Sequence, residues 1–138
     1  MRSTSIVLIS VVALLAAARP SLAHHSFAAE FDGTKLVTLN GTVTKVDWRN
    51  PHIWVYLDAK EPDGSVTPWQ CEGGAPNALI RQGWQHDMLK PGDQISIDGY
   101  RAKDGTNTCN TKTWRLPNGK TIFGGSAGAP AAQRPPGQ

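Results

Sequence analysis

At 138 residues and a formal charge of +3, the chain has room for one small domain and none for a second. The charge is too small for a nucleic-acid footprint. Two widely separated cysteines argue against a cysteine-ligated metal, because such sites draw on closer-spaced sets.

The first 23 residues read as an export signal. Arg2 precedes an apolar run from Ile6 to Ala18, broken only by Ser10 and ended by Arg19-Pro20. The run is too short to span a bilayer. Ser21-Leu22-Ala23 offers small residues at both positions a signal peptidase reads, so cleavage is expected after Ala23. Removing 23 of the 138 residues leaves 115, with 12 basic against 11 acidic side chains and a charge of +1. The expected location is the periplasm, with no membrane anchor once the signal is gone. Charge is uneven along the mature chain. Residues 24–98 carry 6 basic and 10 acidic side chains, whereas 99–138 carry 6 and 1. This reads as a solvated basic edge, with an acidic partner or anionic surface as the alternative.

Residues 24–34 form a leader whose Phe27 and Phe31 are expected to pack on the fold. Lys35 to Trp48 predicts one long strand. Val37, Leu39, Gly41 and Val43 share one parity and Val46 and Trp48 the other, which implies a bulge, with curvature at Gly41. Asn50-Pro51 ends it. His52 to Ala59 alternates strictly, with Ile53, Val55 and Leu57 facing one way and His52, Trp54, Tyr56 and Asp58 the other. After the Glu61-Pro62-Asp63-Gly64 turn, Val66 to Glu72 puts Trp69 and Cys71 on one face and Gln70 and Glu72 on the opposite face. Gly73-Gly74-Ala75-Pro76 opens a short helix that Gly83 ends, with Leu79 and Ile80 as its buried side. Trp84, Met88 and Leu89 continue the core. Ile95 and Ile97 mark the next strand, Thr106 to Leu116 a polar one, and Pro117-Asn118-Gly119 folds it back onto Thr121-Ile122-Phe123. From Gly124 to Gln138 no large apolar residue occurs, which predicts a disordered tail.

Three strands, a helix and two more strands give an all-β domain over residues 35–123, a five-stranded OB-fold-like Greek-key barrel with the helix plugging one end. An open β-sandwich is the alternative. In the barrel the third strand neighbours the fifth, so Cys71 and Cys109 are expected to form a disulfide in an oxidising compartment.

The mature start Ala23-His24-His25-Ser26-Phe27, then Asn50-Pro51-His52, Glu72-Gly73-Gly74-Ala75-Pro76-Asn77, Gly83-Trp84 and Leu89-Lys90-Pro91-Gly92-Asp93 occur in this order. The chain thereby resembles a family of small exported bacterial proteins of unknown function. The resemblance implies an exported single-domain protein and supplies no reaction, ligand or cofactor. Cys71 and Cys109 stand outside its pattern.

Two sets of residues carry chemistry. His52, Trp54 and Tyr56, with Gln70 and Glu72, form a candidate ligand face; the competing expectation is that Phe27 and Phe31 of the leader cover it. Cleavage after Ala23 frees the amine of His24, which with its imidazole and with His25 or His52 suits Cu(II). His86 reads as a surface residue. Asp58 with Glu72 is a conceivable carboxylate pair, and Gly73-Gly74 before a helix a weak anion cradle. No serine elbow, zinc-protease motif or phosphate loop occurs. The expected function is a non-enzymatic periplasmic binding or accessory module for a small ligand or protein partner. A copper-binding protein is the first alternative and an enzyme of unknown reaction the second.

Overall fold

A computed structural model describes residues 27–125. The expected export signal, His24, His25 and the expected tail beyond Gly125 lie outside the described residues.

The elements run α1 (Phe27–Glu30), β1 (Phe31–Asp47), β2 (Trp54–Lys60), β3 (Val66–Glu72), α2 (Pro76–Arg81), β4 (Gln94–Ala102), β5 (Thr108–Arg115) and β6 (Thr121–Phe123). Pairing follows the order β3-β2-β1-β4-β5-β6, and β3 also pairs with β5. That last contact is parallel and closes a ring of hydrogen-bonded strands, β1–β2–β3–β5–β4–β1. The ring has the expected OB-like pairing order, and an open sandwich has no counterpart to the β3–β5 seam. β6 is an antiparallel addition to the far end of β5.

β1 serves two neighbours because it is long and bent. It pairs with β4 through Leu36–Thr42 and with β2 through Gly41–Asp47. Gly41 belongs to both ladders, and a Cβ there would lie 2.3 Å from the Asp58 carbonyl oxygen. Only glycine admits so close an approach. The register slips between Val43 and Lys45. This is the bulge implied by the parity switch, and it returns Val46 and Trp48 to the side packed against the core.

The interior holds Val43, Ile53, Val55, Leu57, Cys71, Ile97, Cys109 and Trp114, joined by Leu79, Trp84 and Leu89 from α2 and the turns after it. Ile80 does not share the buried side of α2. It is 44% exposed, whereas Leu79 is fully buried. The next position along a helix points about 100° away, and in α2 only the Leu79 side is turned into the core. Met88 is only half-buried.

Two boundaries differ from expectation. β1 begins at Phe31, because that residue pairs with Ala102. Gly124 and Gly125 are buried against the sheet rather than part of a loose tail: Gly124 donates its N–H to Lys112 O and accepts from Gly74 N–H.

Candidate functional site

Strict alternation in β2 sends Ile53, Val55 and Leu57 inward, and therefore His52, Trp54 and Tyr56 outward, each half-buried. Register then extends this outer face across three more strands. Trp54 lies opposite Glu72 and Tyr56 opposite Gln70. Glu72 lies opposite Asn110 and Gln70 opposite Thr108. Asn110 in turn faces Tyr100 on β4. Directly paired residues share a face, so Trp54, Glu72, Asn110 and Tyr100 form one continuous row.

The row is tied together by polar contacts. His52 Nδ1 is hydrogen-bonded to Glu72 Oε1. Asn110 Nδ2 donates to the other carboxylate oxygen, Oε2, at 3.0 Å. Two residues along the strands, Gln70 Nε2 donates to Thr108 Oγ1 at 3.0 Å. His52 and Glu72 retain 19% and 11% side-chain exposure. A carboxylate oxygen accepts, so Nδ1 carries the hydrogen and the lone pair of a neutral imidazole resides on Nε2. The peptide bond just before this histidine's neighbour, Asn50–Pro51, is cis.

The leader covers the Tyr100 end of the face and leaves His52, Trp54 and Tyr56 half-buried. Phe27 meets Tyr100 edge-on, with ring centroids 5.3 Å apart, and Phe31 and Ala102 complete this second apolar cluster. Lys103 anchors α1 by donating Nζ to Ala28 O at 2.6 Å and its backbone N–H to Glu30 O at 2.9 Å. Between leader and sheet lies a cleft of about 690 Å³, lined by residues 29–31, Trp54, Gln70, residues 102–104, Thr106 and Thr108. Trp54 and Phe31 supply apolar walls, and the glutamine and threonines supply hydrogen-bonding groups.

All five residues expected on the ligand face thus meet on one surface. Asn110, Thr108 and Tyr100 also belong to it, although the sequence reading overlooked them. The available signal was the parity of Thr106, Thr108 and Asn110 on the strand expected beside β3. Asp58 lies opposite Pro68, four positions along β2 from the partner of Glu72, so the two carboxylates do not pair. Gly73 N–H is bonded to Ile53 O and Gly74 N–H to Gly124 O, so neither is available to an anion. His86 stacks on Trp48 with ring centroids 4.3 Å apart. Cys71 and Cys109 form the expected disulfide, directly opposite one another across the β3–β5 seam with Cα atoms 4.6 Å apart. Among the described residues, no group of three histidine, cysteine or carboxylate side chains is placed to hold a metal ion, and no helix is long and apolar enough to cross a membrane.

No curated protein and no solved structure matches the chain. The model of one family does match, over residues 12–112. That span includes the leader, the outer face and the disulfide, and covers well over half of the chain: the protein belongs to the family of unknown function DUF6152.

Proposed function

We propose that this protein is an exported periplasmic binding or accessory module, without a reaction of its own, that receives a small ligand or a partner's side chain on the outer face of β2, β3 and β5. The observation that carries this reading is the cleft of about 690 Å³ in which the half-buried Trp54 indole adjoins Gln70, Thr106 and Thr108. Sites for small molecules combine apolar walls with a few placed polar groups in this way. An enzymatic reading would use His52 and Glu72 as an acid–base pair. Both lie outside the lining of the cleft, and the two sulfur atoms that would serve as nucleophiles are spent on each other.

The test is a thermal-shift screen of small molecules against the mature protein, repeated on Trp54→Ala. A ligand at 100 times its Kd stabilises the folded state by about 2.7 kcal/mol, a readily measured shift. The expected result is a stabilising compound whose effect disappears in Trp54→Ala. Hits that all persist in that variant would overturn the assignment of the site.

A further inference from the structure

A second cleft, of about 520 Å³, shares no lining residue with the cleft beside Trp54. Four strands meet at it: Asn40 comes from β1, Lys60 from the end of β2, Gln94 and Ser96 from the start of β4, and Arg115 from the end of β5. Register explains the convergence. Asn40 lies opposite Ser96 and Ser96 opposite Arg115, so the three share the outer face. The buried Ile95 and Leu116 add apolar lining.

Two cations and no carboxylate line this groove. Neither Lys60 nor Arg115 has a hydrogen bond or ion pair to any described residue, whereas Lys45 and Arg49 both reach Asp47. Glu61 and Asp93, the acids beside Lys60 and Gln94 in sequence, do not line it. Asp98, two residues along β4 from Ser96, accepts from Thr38 Oγ1 at 2.7 Å and from Thr113 Oγ1 at 3.2 Å, one on each carboxylate oxygen. The Asn40 and Ser96 side chains also have no hydrogen-bond partner among the described residues. Cations left without a counter-charge in a concave, partly apolar site focus a positive potential there.

We infer that this groove binds a small organic anion carrying two negative charges, a phosphomonoester or a dicarboxylate. The planar Arg115 guanidinium presents a fork of donors that matches a phosphate or carboxylate edge, and the Lys60 ammonium supplies a second, point-like positive charge. Asn40 and Ser96 donate neutral hydrogen bonds beside them, and the carbon skeleton of the anion rests on the apolar lining. The site is separate from the Trp54 cleft and requires neither that cleft nor export.

The experiment is calorimetric titration of the purified, disulfide-bonded protein with glycerol 3-phosphate, with succinate and with uncharged glycerol. At least one of the two anions is expected to bind, one per chain, and the preference between them identifies the anionic group; glycerol should not bind. Added sodium chloride should weaken binding, because it screens exposed charges. Lys60→Gln and Arg115→Gln should each weaken it roughly tenfold, through loss of a charge-assisted hydrogen bond. Arg115→Lys should weaken it less than Arg115→Gln. Both side chains are exposed and unbonded, so these variants should fold, and an unchanged unfolding midpoint verifies that. Arg81→Gln removes one cation outside the groove and should leave affinity unchanged, as should Trp54→Ala. Binding of neither anion overturns the inference, as does undiminished binding by the Lys60→Gln/Arg115→Gln protein. An equal loss in Arg81→Gln would reduce the effect to net charge and overturn it too. Each of those failures leaves the Trp54-dependent screen standing, whereas loss of the anion in Trp54→Ala would overturn this site in favour of the first cleft.

Discussion

The Cβ that Gly124 lacks would lie 1.5 Å from Nε1 of Trp114. The residue after β6 is thus seated against the Nε1 side of a fully buried indole, while its backbone links Lys112 to Gly74. No L side chain fits without displacing the ring.

Gly124→Ala should accordingly destabilise the domain by roughly 1–3 kcal/mol, the usual cost of overpacking a core. Urea unfolding would show a lowered midpoint with an unchanged slope. A midpoint equal to that of the wild type would mean that the last described residues do not close the structure.

Neighbouring apolar residues of α2 should behave oppositely. Leu79→Ala opens a cavity at a fully buried position and should cost about 2–5 kcal/mol. Ile80→Ala changes a side chain that is 44% exposed and should stay within about 0.5 kcal/mol. Equal effects from the two variants, measured by the same unfolding curves, would contradict the orientation of the plug.

The Cys71–Cys109 bond closes a loop with a sequence separation of 38 residues. In the chain-entropy account a loop of this size contributes about 3–4 kcal/mol. The Cys71→Ala/Cys109→Ala double variant should lose that much stability relative to the oxidised protein. Dithiothreitol should lower the Tm of the wild type and leave the variant unaffected.

Three short segments share one device that predicts a response to acid. In Asp32-Gly33-Thr34, Asp63-Gly64-Ser65 and Asp104-Gly105-Thr106, the aspartate Oδ1 accepts both the hydroxyl and the backbone N–H of the third residue. These bonds hold each carboxyl below the usual value of 3.8, led by the side-chain bond at Asp32 and Asp63 and by the backbone bond at Asp104. A group whose pKa is lowered on folding adds stability above its unfolded value, and that contribution is lost as the pH falls through the folded value. Stability should therefore decline as the pH drops below 3.8. Replacing all three aspartates with asparagine should make the decline shallower in unfolding midpoints measured across that range.

Most of the frame was legible because it is written in hydrophobic contrast. β2 alternates aliphatic residues that are buried with aromatic or polar ones that are half-buried or exposed, and the β3 limits match the expected ones. The slip between Val43 and Lys45 announces itself as a change of parity. β5 carries no such contrast on its outer side. Thr108 and Asn110 are buried though polar, since neighbouring strands and the cleft enclose them, and short-range pattern cannot register enclosure by distant segments. Ile80 misled for a related reason: it lies about 100° round the helix from Leu79 and is 44% exposed, and whether a distant segment covers that side is not written in the local pattern. The row from Trp54 to Tyr100 depends on the parallel contact of β3 with β5, two strands separated in sequence by β4 and a helix. Pairing that remote leaves no local mark.

That same seam has a consequence for how the protein matures. Only Gln70–Glu72 and Thr108–Asn110 form it, and these short stretches hold both the disulfide and the Glu72–Asn110 hydrogen bond. Neither the β1–β3 meander nor the β4–β6 segment contains the polar row by itself. Each half contributes one sulfur and one side of the polar row, so the disulfide ties together the two segments that build it. With both thiols reduced, strand pairing alone would hold the row together; oxidised, the seam carries a covalent lock one residue away from Glu72 and Asn110.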